Sequence, residues 1–68
     1  MNNKVKEARI ERGMSVSELA RRTGLSRTAI NNIENKNSNP LASTMYVISI
    51  VLEKEVSEIF FAPSVIQE

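Results

Sequence analysis

Hydrogen-bonding side chains cluster between positions 27 and 32, where the chain reads Arg-Thr-Ala-Ile-Asn-Asn. The guanidinium of Arg27 can donate two parallel hydrogen bonds to guanine O6 and N7, and the amide of Asn31 or Asn32 can match N6 and N7 of adenine. Thr28 adds a methyl group that can contact thymine. Asparagine is a poor helix former, so two of them inside a helix need a reason. These side chains suit recognition of base edges; simple exposure to solvent is the alternative.

The composition lacks residue types on which many catalytic and metal-binding sites depend. The 68 residues include no Cys and no His, and every acidic residue is Glu. Histidine-based triads, proton shuttles, disulfides and Cys/His metal clusters therefore cannot be built. We expect one small domain that is not an enzyme and that has no cofactor, metal or small-molecule ligand.

The sequence also contains no segment suited to a membrane. The longest apolar stretch, residues 45–52, is far shorter than the ~20 residues of a membrane-spanning helix. Residues 1–13 are charged and lack the apolar core of a signal peptide. We therefore expect a cytoplasmic protein without a membrane partner.

The net charge of +1 conceals an asymmetry between the two halves of the chain. Residues 1–36 contain eight Lys and Arg against four Glu, a net charge of +4, and residues 37–68 contain one Lys against four Glu, a net charge of −3. A basic first half favours a polyanionic partner, although small domains also divide charge unevenly by chance.

Apolar spacing and capping signals predict five helices that position these side chains. Ser15 and Glu18 have the spacing of a capping box, Ser26 is a suitable N-cap, and Gly13 and Gly24 are suitable helix ends. The β-branched residues of the fourth segment favour a strand locally, but the run is too long for a strand without a hairpin partner. The predicted helices are Lys4–Arg12, Ser15–Thr23, one from Ser26 to Asn35, Ala42–Leu52 and Val56–Phe61, with a domain over residues 1–61 and a tail over residues 62–68.

Residues 16–35 have the pattern of two short helices that cross at a tight turn. Ala20 lies four residues before Gly24, so the two backbones can approach closely, and Gly24 permits a positive φ. Leu19, Leu25, Ile30 and Ile33 are spaced to fill the wedge between the helices. This is the helix-turn-helix arrangement, whose second helix enters the major groove of DNA.

The same residues resemble the phage-repressor/Cro-type (XRE) helix-turn-helix family. The resemblance lies in the segments 14–20 (MSVSELA), 24–27 (GLSR) and 30–35 (INNIEN), and Asn39-Pro40, Leu52 and residues 58–60 (EIF) extend it. It implies an all-α, compact bundle of about five helices, like the lambda repressor DNA-binding domain. It also implies a transcriptional regulator that binds double-stranded operator DNA as a homodimer.

The resemblance assigns roles to further residues. It favours Thr28 and Asn32 as base readers beside Arg27, and leaves Asn31 less certain. It also predicts a structural ion pair between Arg9 and Glu34, joining the first and third helices. The residues expected to contact phosphates stand at the start of the second helix and after the third: Ser15, Ser17, Asn35, Lys36 and Asn37.

Several positions depart from the family pattern, among them Val47 and Ile50, which stand where the family commonly has Lys. Val16 stands where the family usually has a phosphate-contacting Gln, so backbone N–H groups must serve there. Leu41 replaces a frequent Ser and Glu53 a frequent Gly at the two ends of the fourth helix.

The second half holds more apolar residues than a bundle of this size needs. We expect a dimer interface formed by the fourth helix, the fifth helix and the tail, in which the tail pairs across the dimer. The alternative is that the tail folds back within one chain. The predicted interface residues are Val47, Ile50, Phe60, Phe61, Val65 and Ile66.

The function that these observations predict is a transcriptional regulator, a repressor, that binds a palindromic operator through the major groove. A restriction–modification controller or an antitoxin on the same scaffold is one alternative. A protein-interaction adaptor that has lost DNA binding is another, which Val16 and the small net charge favour modestly.

Overall fold

The computed structural model describes residues 3–36 and 40–61, and within them the chain forms five α-helices and no strand. The all-helical bundle predicted from the sequence is confirmed. The helices are α1 (Val5–Glu11), α2 (Val16–Thr23), α3 (Arg27–Asn35), α4 (Ala42–Leu52) and α5 (Val56–Phe60).

Each of the first three helices begins at a side-chain oxygen that accepts from a free backbone N–H. Asn3 Oδ1 accepts from the N–H of Val5, Ser15 Oγ from that of Glu18, and Ser26 Oγ from that of Ala29, all at 3.0 Å. The reciprocal half of the capping box predicted for Ser15 and Glu18 does not form. The carboxylate of Glu18 instead lies 2.7 Å from an Nη atom of Arg22, because that guanidinium is one helical turn away.

The turns between these helices depend on two glycines in the left-handed region. Gly13 has φ +70° and Gly24 has φ +78°. The N–H groups of Gly24 and Leu25 both bond to the carbonyl of Ala20, which ends α2 and directs the chain into α3. A residue with a Cβ would be strained at either glycine.

One hydrophobic core takes side chains from all five helices. Seven of them are wholly inaccessible to solvent, and Ala8, Met14, Ala20 and Ile33 complete the cluster. The seven are Val5, Leu19, Ile30, Ile48, Leu52, Ile59 and Phe60. In α1, by contrast, Ile10 lies outside this core and is 57% exposed.

The β-branched residues of α4 adopt a helix, as predicted, because the helix buries Ile48 and Leu52 in the core. The hydroxyl of Ser49, also buried, donates to the carbonyl of Met45 at 2.8 Å and is thereby satisfied. Across residues 3–36 and 40–61, every helix is too short or too polar to cross a membrane.

Helix α4 ends at Glu53, the one non-glycine residue with positive φ (+56°) in the described ranges. The N–H of Glu53 still donates to the carbonyl of Ile50, so the helix end is hydrogen-bonded although the residue is not glycine. An L-residue with a Cβ costs roughly 1–2 kcal/mol in this conformation. The carboxylate of Glu53 pairs with Arg12 at 2.8 Å, but both side chains are solvent-accessible, so the pair offsets little of that cost.

We predict that Glu53→Gly stabilises the domain by about 1 kcal/mol, since glycine removes the Cβ strain and loses only an exposed ion pair. Thermal unfolding followed by circular dichroism should show a midpoint several degrees higher. Glu53→Ala is the matched control, because it removes the same carboxylate and keeps the Cβ. An equal gain from both variants would assign the effect to charge rather than to the backbone.

Candidate nucleic-acid interface

Helices α2 and α3 pack against each other across the turn at Gly24 and form the helix-turn-helix unit. Leu19, Ala20, Ile30 and Ile33 are buried between them and the rest of the core, and Leu25 packs on its edge. Because this face of α3 is apolar and buried, its opposite face is directed to solvent.

The exposed face of α3 carries the predicted base-reading side chains. Arg27, Thr28 and Asn31 are exposed, and Asn35 follows on the same face one turn after Asn31. Asn32 is half-buried, at the margin of this surface. On exposure alone, Asn31 is therefore a better candidate for a base contact than Asn32. The family resemblance favours the opposite order.

The first turns of α2 and α3 meet on the same side of the unit. Arg27 Nη1 donates to Ser17 Oγ at 3.4 Å, which links the two helices at the solvent surface. Ser15 and Ser17 are both exposed, and Ser15 uses its oxygen as the N-cap acceptor. The positive end of the α2 dipole and a guanidinium are thus adjacent, an arrangement that attracts anions.

Lys36 is exposed directly after α3, and its N–H bonds to the carbonyl of Asn32 as the C-cap. The polar face of α3 therefore has a cationic side chain at each end, Arg27 at its start and Lys36 after its last residue. Asn37, predicted to contact phosphate, lies outside the described residues.

Arg9 and Glu34 meet in the ion pair predicted from the sequence. Arg9 Nε donates to Glu34 Oε2 at 2.8 Å and Nη2 donates to Oε1 at 3.1 Å, so the contact is bidentate. The side chains are only 11% and 2% exposed. The hydrogen bond to Glu34 raises the pKa of Arg9 above its usual value in spite of burial, so the guanidinium remains charged.

Two further hydrogen bonds fix the position of α3 relative to the N-terminal segment. Arg9 Nη1 donates to the carbonyl of Met14 at 2.8 Å, which attaches the same guanidinium to the turn before α2. Asn3 Nδ2 donates to the carbonyl of Ile33 at 2.9 Å, in the last turn of α3. These contacts orient the recognition surface without using any side chain exposed on it.

The structure divides the predicted dimer residues into three groups. Val47, Ile50 and Phe61 are exposed and available for a partner. The prediction for Phe60 is wrong: this side chain is wholly buried in the core of its own chain, because α5 directs Phe60 inward and leaves the next residue, Phe61, outside. Val65 and Ile66 lie outside the described residues.

Sequence reasoning missed two features of α4. Tyr46 is 62% exposed beside Val47 and Ile50 and enlarges their apolar surface. Among residues 3–36 and 40–61, no side chain caps the start of α4, and its first turn contains no acidic residue, so the N–H groups there can bond to an anion. The signal for the second feature was Leu41, an apolar residue at an N-cap position.

Together, the turn, the polar face of α3 and the two helix starts define a DNA-binding domain of the helix-turn-helix class. A family model described as helix-turn-helix matches residues 5–59. The chain therefore belongs to the helix-turn-helix family, of the phage-repressor/Cro (XRE) type.

Solved structures of a bacterial regulator are similar to this chain over most of its length. The crystal structure of SinR, a master regulator for biofilm formation, in complex with DNA is 35% identical, with a TM-score of 0.73 over 78% of this chain and 86% of that one. The N-terminal DNA-binding domain of SinR from Bacillus subtilis is 33% identical, with a TM-score of 0.73 over 78% of each chain. Its solution structure is 31% identical, with a TM-score of 0.75 over 88% of each. Comparison with curated protein sequences gives no match.

We predict that Glu34→Ala destabilises the domain by roughly 3 kcal/mol or more, because it leaves the guanidinium of Arg9 buried and unpaired. The midpoint of thermal unfolding should fall by more than ten degrees, at ~4–8 °C per kcal/mol for a domain of this size. Glu18→Ala is a matched control, since it breaks another Glu–Arg pair, that with Arg22, at an exposed site. It should cost less than about 1 kcal/mol. Similar losses from both variants would contradict a special role for the buried pair.

Proposed function

We propose that this protein is a sequence-specific DNA-binding transcriptional regulator that represses by occupying a palindromic operator as a homodimer. The observation that carries the proposal is the exposed face of α3, where Arg27, Thr28 and Asn31 share one surface bordered by the start of α2. The crystal structure of SinR in complex with DNA, 35% identical to this chain, supports DNA as the partner. The protein acts on DNA in the cytoplasm and catalyses no reaction.

Base recognition falls to the first two turns of α3. Arg27 donates to guanine O6 and N7, Thr28 contacts a thymine methyl, and Asn31 and Asn32 pair with adenine. Asn31 is exposed and Asn32 is half-buried at the margin of the same surface, so Asn31 is the freer of the two to reach a base.

Phosphate contacts flank this surface and supply most of the affinity. The start of α2 offers its N–H groups and the hydroxyls of Ser15 and Ser17 on one side. Asn35, Lys36 and Asn37 follow α3 on the other side. The start of α4, where no side chain of the described residues caps the helix, offers further N–H groups to the phosphates.

Dimerisation uses the apolar surface of α4 together with Phe61 and the tail. Tyr46, Val47, Ile50 and Phe61 are exposed and uncharged, so a second copy can cover them without burying a charge. Val65 and Ile66 of the tail extend this contact across the dimer. Two-fold symmetry then places the two α3 helices in successive major grooves, about 34 Å apart.

We predict that Arg27→Ala weakens binding to the selected operator by on the order of 1–3 kcal/mol and relaxes one base position. Lys36→Ala should weaken binding to all sequences alike. The slope of log affinity against log salt concentration should fall by about one, the value for one lost phosphate contact. The operator is obtained by selecting bound duplexes from a random library, and affinities are measured by fluorescence anisotropy at several salt concentrations. Identical behaviour of the two variants on selected and random DNA would refute this division of roles. No binding of random duplex at low salt would favour the adaptor alternative.

We predict that the protein sediments as a dimer at micromolar concentration and that Ile50→Glu converts it to a 7.6 kDa monomer, because the carboxylate would be buried at the interface. Ile10→Glu is a matched control, since Ile10 and Ile50 are equally exposed, at 57% each, on different helices. A monomeric wild-type protein, alone and with DNA, would exclude this interface.

A further inference from the structure

Asn3 joins two helices through the amide of one side chain. Its Oδ1 accepts from the N–H of Val5 at 3.0 Å, which forms a turn at the start of α1. Its Nδ2 donates to the carbonyl of Ile33 at 2.9 Å, in the last turn of α3. The reverse orientation of the amide would set oxygen against oxygen and N–H against N–H, so the two partners determine which way it points.

The segment that carries this amide is itself held in place. The N–H of Lys4 donates to the carbonyl of Ile59 in α5 at 2.8 Å. Val5 and Ile59 are both wholly buried in the core. The side chain of Asn3 therefore extends from a fixed backbone, so its bond to Ile33 restrains α3 rather than following the motion of that helix.

The bond from Asn3 supplies a donor to a carbonyl at the end of α3. Carbonyls in the last turn of an α-helix lack an intrahelical donor. Among the described residues, the last N–H that bonds along α3 is that of Lys36, which donates to the carbonyl of Asn32. The next carbonyl along the helix is that of Ile33, and it accepts from Asn3. A side chain before α1 thus extends the hydrogen bonding of α3 at its C-terminal end.

This contact differs in kind from the ion pair of Arg9 and Glu34, which attaches the same turn of α3. The ion pair holds a carboxylate at the end of a side chain, and the torsions of that side chain separate it from the helix backbone. Asn3 holds a backbone atom of α3 directly. Its hydrogen bond therefore limits how far this end of the helix can shift.

We propose that Asn3 is a positioning residue for the phosphate contacts at the end of α3. Lys36 comes three residues after the carbonyl that Asn3 holds, so a shift of this turn moves the cation relative to the DNA backbone. Asn35, the last residue of the helix, moves with it. This role rests on the proposed function, in which Lys36 contacts a phosphate.

The restraint is tested first without DNA, by amide hydrogen exchange of the full chain labelled with ¹⁵N. Asn3→Asp keeps an acceptor for the N–H of Val5 but sets a carboxylate oxygen against the carbonyl of Ile33, which is repulsive. We expect the N–H of Lys36 to exchange several-fold faster and that of Val5 to stay protected. Ser49→Ala, which removes a side-chain bond to a carbonyl within α4, is the control and should not change exchange at Lys36. Unchanged exchange at Lys36 in Asn3→Asp would overturn the proposal.

The second measurement is the salt dependence of binding to random duplex DNA, followed by fluorescence anisotropy. Asn3→Ser adds no charge, and its hydroxyl can form the turn with Val5 but is one bond too short to replace the amide at Ile33. We expect about threefold weaker binding and a smaller slope of log affinity against log salt concentration. The fall in slope should not exceed the value of about one that Lys36→Ala gives. In the Lys36→Ala background, Asn3→Ser should have no further effect on the slope.

The outcomes distinguish this role from the proposed function. A wild-type slope in Asn3→Ser, beside a reduced slope in Lys36→Ala, would overturn the positioning role and leave the function intact. A wild-type slope in Lys36→Ala would refute the phosphate contact of Lys36, and the positioning role with it. A purely structural role for Asn3 would lower the melting temperature of Asn3→Ser without changing the slope, and this result would also overturn the proposal.

Discussion

The buried pair of Arg9 and Glu34 is the interaction on which the geometry of the DNA-binding surface depends. One guanidinium contacts a carboxylate of α3 and the carbonyl of Met14 before α2, so three segments are fixed by one side chain. Desolvating two charges is costly, and an apolar pair of similar volume could be as stable. The ion pair also fixes the orientation of α3. Its two parallel hydrogen bonds are planar and allow one orientation of the helix, whereas packed aliphatic side chains would allow several.

The order of the helices and the exposure of the polar face of α3 were largely predictable because their signals are local. Ser15, Ser26, Gly13 and Gly24 each determine a helix end through a hydrogen bond or a φ angle within a few residues. The resulting boundaries agree with the prediction to within a residue. The ion pair was predictable for a different reason, namely the family resemblance, since its partners are 25 residues apart in the sequence.

Predictions were weaker where a short helix had to be oriented about its own axis. In α5, five residues long, the sequence Phe-Phe gives no indication of which ring is buried, and tertiary packing placed Phe60 inside. In α1, likewise, the local sequence does not show that Ile10 lies outside the core. A capping box forms at Glu55 and Glu58, where each carboxylate accepts from the backbone N–H of the other residue. The box predicted at Ser15 and Glu18 is incomplete, because Glu18 pairs with Arg22 instead. In each of these places the side chain has alternative contacts of similar energy, and the local sequence does not show which contact forms.

If Arg27 reads a base as proposed, its contact with Ser17 has a consequence for how selectively the protein recognises its target. A long side chain on a free helix samples many rotamers, and fixing it on a ligand loses that freedom. Here the hydroxyl restricts part of this motion beforehand, so less entropy is lost when the guanidinium engages a base. The hydroxyl also competes weakly for the guanidinium, so on a mismatched sequence an Arg27 in that role would return to Ser17, and only the proposed phosphate contacts would hold the duplex.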